Sequence, residues 1–228
     1  MTDKATHIVF PIFDRVTHLD FTGPHQVFSY LTEARITVAS MGGRDIGAHG
    51  FVFSELADLS KVESCDVLCV PGGSGTTEAM LDETFIAEIQ RLARGARYLT
   101  SVCTGSLILG AAGLLRGKRA TTHWATHDLL APLGATLDES RVVRDGNVIT
   151  GGGVTAGIDF ALVAVAEIFG RDIAESIELR MEYAPAPPFG VGRPDIAAAE
   201  LMMSVRESLK SDARRMAVEQ VARKLRVS

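Results

Sequence analysis

The sequence predicts an α/β fold, with a mostly parallel sheet and helices on both faces. Three observations carry this. Short apolar, β-branched stretches alternate with stretches of helical length along most of the chain. Cys65–Pro71 is strongly apolar and breaks directly into Gly72-Gly73-Ser74-Gly75, a strand-to-helix connection. Tyr98–Thr104 begins as a buried strand and runs on through Gly105–Ala112, a small apolar helix ended by Gly113, with Cys103 at the junction. In sheets of this kind the working crevice lies beyond the carboxyl ends of the strands.

Taken in order, His7–Phe13 is the first strand. Pro11 lacks an N–H, so this strand is either at an edge or ending there. A helix follows to about Leu31, with Thr22 or Gly23 as its cap and Pro24 in its first turn. Arg35–Ser40 is a second strand, Gly42-Gly43 a turn, and Gly50–Ser54 a short strand or hairpin arm. The apolar strand at Cys65–Pro71 leads to an amphipathic helix from about Thr77 to Arg94. After the strand and helix around Cys103, Arg119–Thr122 is another strand, followed by His123-Trp124 and a helix to about Leu130. Val142–Thr150 holds two short strands around Asp145-Gly146, a hairpin signal. Gly151-Gly152-Gly153 turns into a nearly uncharged helix, Val154–Phe169, and a further helix runs from about Asp172 to Tyr183. The prolines of Ala184–Gly190 require an extended crossing segment.

The 228 residues suffice for one large domain, 1–228, with Pro194–Ser228 as a C-terminal helical extension of one helix or two. The net charge of −5 argues against nucleic-acid binding through a basic surface. No basic-then-apolar leader opens the chain and no run reaches the length of a membrane span, so neither secretion nor a membrane partner is expected. Three cysteines without paired spacing give no disulfide framework, which fits a reducing cytoplasm and a free thiol at Cys103.

Three loops distant in sequence reach one sheet edge in this reading: those of Asp20, Gly72–Gly75 and Cys103. A cysteine nucleophile needs a lowered pKa, a proton donor or acceptor, and a place for developing charge. The helix start at Thr104–Ser106 favours a thiolate. The bland alternative is a buried core cysteine. Asp20 supplies the proton, or else caps a helix. Gly72 and Gly73 aim backbone N–H groups at a substrate, or else only close a tight turn. The Gly151-Gly152-Gly153-Val154 segment brings backbone to the sulfur, or else merely permits the turn. Thr104 binds a ligand group or caps its own helix. His123 pairs with the cysteine, as in thiol amidases, or is structural. Cys65 and Cys69 read as core thiols; no His or Cys cluster makes a metal site.

Taken together, Leu19–Pro24, Val70–Gly73, Thr100–Ser106, Thr121–Trp124 and Gly151–Asp159 resemble the PfpI-type class I glutamine amidotransferase-like superfamily. Within it, and on Tyr183–Phe189 as well, the chain is similar to the isocyanide hydratases. The resemblance runs from about residue 7 to residue 190. It implies a flavodoxin-like three-layer sandwich, Cys103 on a nucleophile elbow, an aspartate acid at Asp20, a homodimer and an isocyanide substrate, with no metal or organic cofactor. Supporting positions are Thr104, Gly72, Gly73, Val154 and His123. Threonine at position 104, where protease-like members carry histidine, weakens a peptidase reading. A glyoxalase, deglycase or amidase using Cys103 is an alternative, as is a non-catalytic regulatory ligand-binding domain. For the latter, Pro194–Ser228 is too short to hold a double helix-turn-helix and lacks a basic recognition face.

Overall fold

The computed structural model describes residues 5–227; residues 1–4 and 228 of the expected domain lie outside the described residues. Strands β1 (Thr6–Pro11), β2 (Ala34–Ser40), β5 (Ala57–Asp58), β6 (Val67–Val70), β7 (Tyr98–Val102), β10 (Val142–Asp145) and β11 (Val148–Gly151) form one sheet in the order β10-β11-β7-β6-β1-β2-β5. Every pairing is parallel except the β10–β11 hairpin. β6 and β7 are buried along their whole length, as expected of central strands covered on both faces. Two small pairs lie outside the sheet: the hairpin β3 (Ile46–Ala48) with β4 (Phe51–Phe53), and the parallel pair β8 (Arg119–Ala120) with β9 (Thr136–Leu137).

Helices α1 (His18–Phe28), α5 (Ala156–Phe169) and α6 (Arg171–Arg180) pack together on one side of the sheet. Helices α2 (Thr76–Leu81), α3 (Glu83–Ala93), α4 (Gly105–Ala111) and α8 (Asp212–Val227) pack together on the other, while α7 (Ala199–Leu209) buries none of its residues. This is the expected three-layer, flavodoxin-like α/β architecture.

Several local expectations are corrected. β1 lies between β6 and β2, so Pro11 marks a strand end and not a sheet edge. α1 begins at His18, so neither Thr22 nor Gly23 caps it and Pro24 lies inside the helix. Having no N–H, Pro24 withholds the usual helical bond from the Asp20 carbonyl. The stretch Thr77–Arg94 is two helices, because the Asp82 carboxylate accepts from the N–H groups of Thr84 and Phe85 (2.9 and 3.0 Å) and starts α3 afresh. The expected strand Arg119–Thr122 is only two residues long and joins β9 instead of the main sheet. Trp124–Leu129 is a kinked 3-10 turn, not an α-helix. The tail resolves into two helices, α7 and α8.

Candidate active site

Cys103 leaves β7 with φ +56°, in the left-handed region that side-chain-bearing residues rarely adopt. Its backbone is held there from both sides. Its N–H donates to Gly152 O at 2.8 Å and Gly151 O at 3.1 Å. Its carbonyl accepts from the hydroxyls of Thr122 (3.0 Å) and Ser106 (3.1 Å). The turn is therefore over-determined, as a strained residue at a functional turn must be. It aims the side chain off the carboxyl edge of the sheet, at the start of α4.

Glycines let the neighbouring loop reach this turn. A Cβ on Gly72 would lie 2.5 Å from both the N and the Oγ1 of Thr104, and a Cβ on Gly105 would lie 2.1 Å from Val70 O. Neither position admits a side chain, so the β6 and β7 turns interlock. Thr104 Oγ1 accepts from the Gly73 N–H (3.0 Å) and shares a hydrogen bond with Thr76 Oγ1 (2.8 Å). Thr104 thus ties the elbow to the Gly72-Gly73 loop; the alternative in which it caps its own helix is not what the geometry shows, since it makes no side-chain cap bond there.

Asp20 is fully buried in the first turn of α1, yet it caps nothing. Its Oδ2 accepts from the Gly72 N–H at 3.0 Å. Its Oδ1 has no hydrogen-bond partner of normal geometry, although the Cys103 thiol lies within hydrogen-bonding reach of the same carboxyl. Burial raises its pKa to about 7, outweighing the hydrogen bonds from Gly72 and Cys103 that pull it down. A carboxyl that holds its proton to neutrality beside a thiol is suited to deliver that proton.

Cys103 is only 6% exposed. Burial, and then the charge of Asp20, push the thiol up from its ordinary value, while the N–H groups of Thr104 and Val154 pull it down. The N–H groups at the helix start, which favour the thiolate, are outweighed by the loss of water. Protonation of Asp20 removes its charge from the causes that oppose ionisation of the thiol, so the acid form of Asp20 and the thiolate of Cys103 favour each other.

The Val154 N–H is thus among the groups that pull the Cys103 thiol down. His123 is placed differently. Its Nδ1 accepts from the Ala125 N–H at 3.2 Å, and its ring packs where a Cβ on Gly153 would touch it. Burial first, then His127 and Arg214, lower its pKa, so the ring is neutral. It makes no hydrogen bond to Cys103 among the described residues. The ring instead borders a cleft of about 640 Å³ together with Thr122, Val154, Arg141 and Thr155. Sequence reasoning missed Thr122 and Thr76. Thr76 falls just ahead of the expected helix and Thr122 stands only as a strand end and within the Thr121–Trp124 motif; nothing in their local pattern signals a bond across the fold. Cys65 and Cys69 are buried core thiols pushed up to about 12 by burial, as read from the sequence. No group of three or more His, Cys, Asp or Glu able to hold a metal occurs among the described residues.

Residues 6–167 match the model of the DJ-1/PfpI family. The chain belongs to the DJ-1/PfpI family. Among its DJ-1/PfpI relatives, an isonitrile hydratase of Pseudomonas putida is 48% identical over 207 residues, 89% of this chain and 90% of that protein. A crystal structure of a ThiJ/PfpI family protein from Pseudomonas syringae superposes with a TM-score of 0.90 at 38% identity, covering 95% of this chain and 90% of that one. Drosophila melanogaster DJ-1beta superposes with a TM-score of 0.72 at 21% identity over 79% of this chain and all of its own, a likeness of fold alone. The family match stops within α5, so the C-terminal helices lie beyond it.

Proposed function

We propose that this protein hydrates isocyanides to N-substituted formamides, with Cys103 as nucleophile and Asp20 as acid–base. The observation that carries this reading is the likeness to isonitrile hydratase over nine-tenths of both chains. The placement of Cys103 beside a carboxyl that retains its proton supports it.

In the proposed reaction the Cys103 thiolate attacks the terminal carbon of R–N≡C, and the acid form of Asp20 delivers a proton to that carbon. A thioimidate, R–N=CH–S–Cys103, results, with Asp20 now a carboxylate. Asp20 draws a proton from water as its oxygen adds to the same carbon, and this proton passes to nitrogen. Collapse of the adduct expels the thiolate, returns the hydroxyl proton to Asp20 and releases R–NH–CHO. Backbone N–H groups of Thr104 and Val154 face the sulfur throughout; Gly72 and Gly73 fix Asp20 and Thr104 respectively. His123, neutral and committed to Ala125, borders the cleft and takes no proton-transfer step.

The reading extends to a cytoplasmic homodimer. Apolar side chains left exposed on α7 and ahead of it, among them Leu201, Met203, Phe189 and Ile196, support a surface covered by a second copy. Among the described residues no helix is long and apolar enough to cross a membrane.

The test is incubation with an aryl isocyanide and detection of the formamide, with methylglyoxal as a parallel substrate. Formamide production by the wild type, absent in a folded Cys103→Ala variant, is the expected result. Turnover of methylglyoxal alone would reject the substrate, and full turnover by Cys103→Ala would reject the covalent route. Asp20→Asn lowers turnover by about two to four powers of ten, the usual contribution of a positioned proton donor.

A further inference from the structure

The turn that receives the amide of Cys103 has little of its own to hold its shape. It runs Gly151-Gly152-Gly153-Val154, and its glycines bring no side chains to pack. Its position nonetheless matters, because Gly152 O and Gly151 O accept the Cys103 N–H at 2.8 and 3.1 Å.

Arg141 grips this turn at both ends. It stands immediately before β10, and its carbonyl accepts from the Gly152 N–H at 2.9 Å, one rung beyond the Val142–Gly151 pair of the hairpin. Its side chain crosses to the far end. There Nε donates to Asp159 Oδ2 at 2.9 Å and Nη2 donates to Thr155 Oγ1 at 3.1 Å, with Nη2 also 2.8 Å from Asp159 Oδ2. The same carboxylate oxygen accepts from the Tyr183 hydroxyl at 2.9 Å. Arg141, Gly152, Gly153, Val154 and Thr155 line one cleft with Thr122, whose hydroxyl donates to Cys103 O at 3.0 Å.

Two features set these contacts apart from ordinary stabilising ones. Thr155 occupies the N-cap position of α5, yet its hydroxyl makes no cap bond and accepts from Arg141 instead. Capping would have stabilised the helix directly. The ion pair is also partly in solvent, with the Arg141 side chain 49% exposed and that of Asp159 32%. Pairs this exposed contribute little to folding. What the contacts do fix is the course of the chain between them, from Gly152 to Thr155.

We propose that Arg141 is a positioning residue that clasps the Gly152–Thr155 segment from both ends and so keeps it seated on the Cys103 elbow. This rests on Cys103 being the nucleophile of the proposed reaction. With the clasp closed, Gly152 O stays on the Cys103 N–H and the Val154 N–H remains available to the thiolate. With it open, the glycines let the segment drift, and both groups lose their place. The guanidinium acts through the backbone and forms no bond to substrate.

The test follows Cys103 itself in the full-length protein. Its alkylation by iodoacetamide is measured against pH by intact mass, with Cys103→Ala as background. Arg141→Gln opens the clasp: the midpoint of the profile moves up by about one pH unit, and the rate near neutrality falls about tenfold. The urea midpoint barely moves, as for any exposed pair. Thr155→Val releases one end only and leaves every charge in place; it moves the profile the same way by about half a unit, which separates lost position from lost charge. Asp20, the charge that acts on the thiol from α1, is untouched by either substitution. If Arg141→Gln does not fold, Thr155→Val carries the comparison. A shift in Arg141→Gln with none in Thr155→Val would trace to the missing charge and overturn the proposal. So would a folded Arg141→Gln that loses stability while keeping the wild-type profile. Alkylation does not depend on which substrate is turned over, so failure of isocyanide hydration is seen separately, in formamide yield.

Discussion

Replacing Asp20 by asparagine removes a titration that the folded state resists. The carboxyl is fully buried and its pKa stands at about 7, against 3.8 for a solvated aspartate. Folding thus prefers the protonated acid. Its contribution to stability is complete below pH 3.8 and is lost as pH rises through about 7, where the folded state also ionises. The displacement corresponds to about 4 kcal/mol. Asparagine keeps the shape, and its amide oxygen still accepts from the Gly72 N–H, but it has no proton to lose. Urea unfolding of both proteins between about pH 4 and about pH 8 isolates the effect, since every other titrating group is common to the pair. The wild type loses about 4 kcal/mol relative to Asp20→Asn across that range. A stability difference that stays constant to within about 1 kcal/mol would mean that the buried carboxyl ionises freely, and the proton-donor role would lose its physical basis.

Two further substitutions probe the interlocked turns. Gly72→Ala places a methyl group 2.5 Å from the Thr104 backbone N, so Thr104 and the adjacent Cys103 must shift; misplacement of this kind lowers formamide production by about a hundredfold, measured under saturating aryl isocyanide. Thr104→Val is close in shape but leaves the Gly73 N–H without its 3.0 Å acceptor and Thr76 without its 2.8 Å partner. This costs about 1–3 kcal/mol, read as a lower midpoint in urea with an unchanged slope.

The strands, their order of alternation with helices and the elbow at Cys103 were legible because they depend on local pattern. Buried strands such as Val67–Val70 and Tyr98–Val102 show as uncharged runs, and the turns after them show as glycine. What was not legible depends on contacts between segments far apart in the chain. The amphipathic pattern runs straight through Asp82, and whether an aspartate there caps a new helix or rides on the surface of a continuing one is settled by packing. Asp20 posed the opposite problem. It has the spacing of a cap, and only the approach of the Gly72 loop, 52 residues away, gives it a different partner. The proton affinity of Cys103 is legible only in part for a related reason: helix-end N–H groups are visible in sequence, whereas the depth at which a turn is covered is not.

The left-handed backbone at Cys103 also has an evolutionary side. Of the twenty amino acids, glycine rests most easily at φ +56°, and it would do so without a sulfur. Selection for a sturdier molecule and selection for a reactive one therefore pull this single codon in opposite directions. The dense ring of hydrogen bonds to the amide and carbonyl of residue 103 is how the surrounding chain settles that conflict in favour of chemistry.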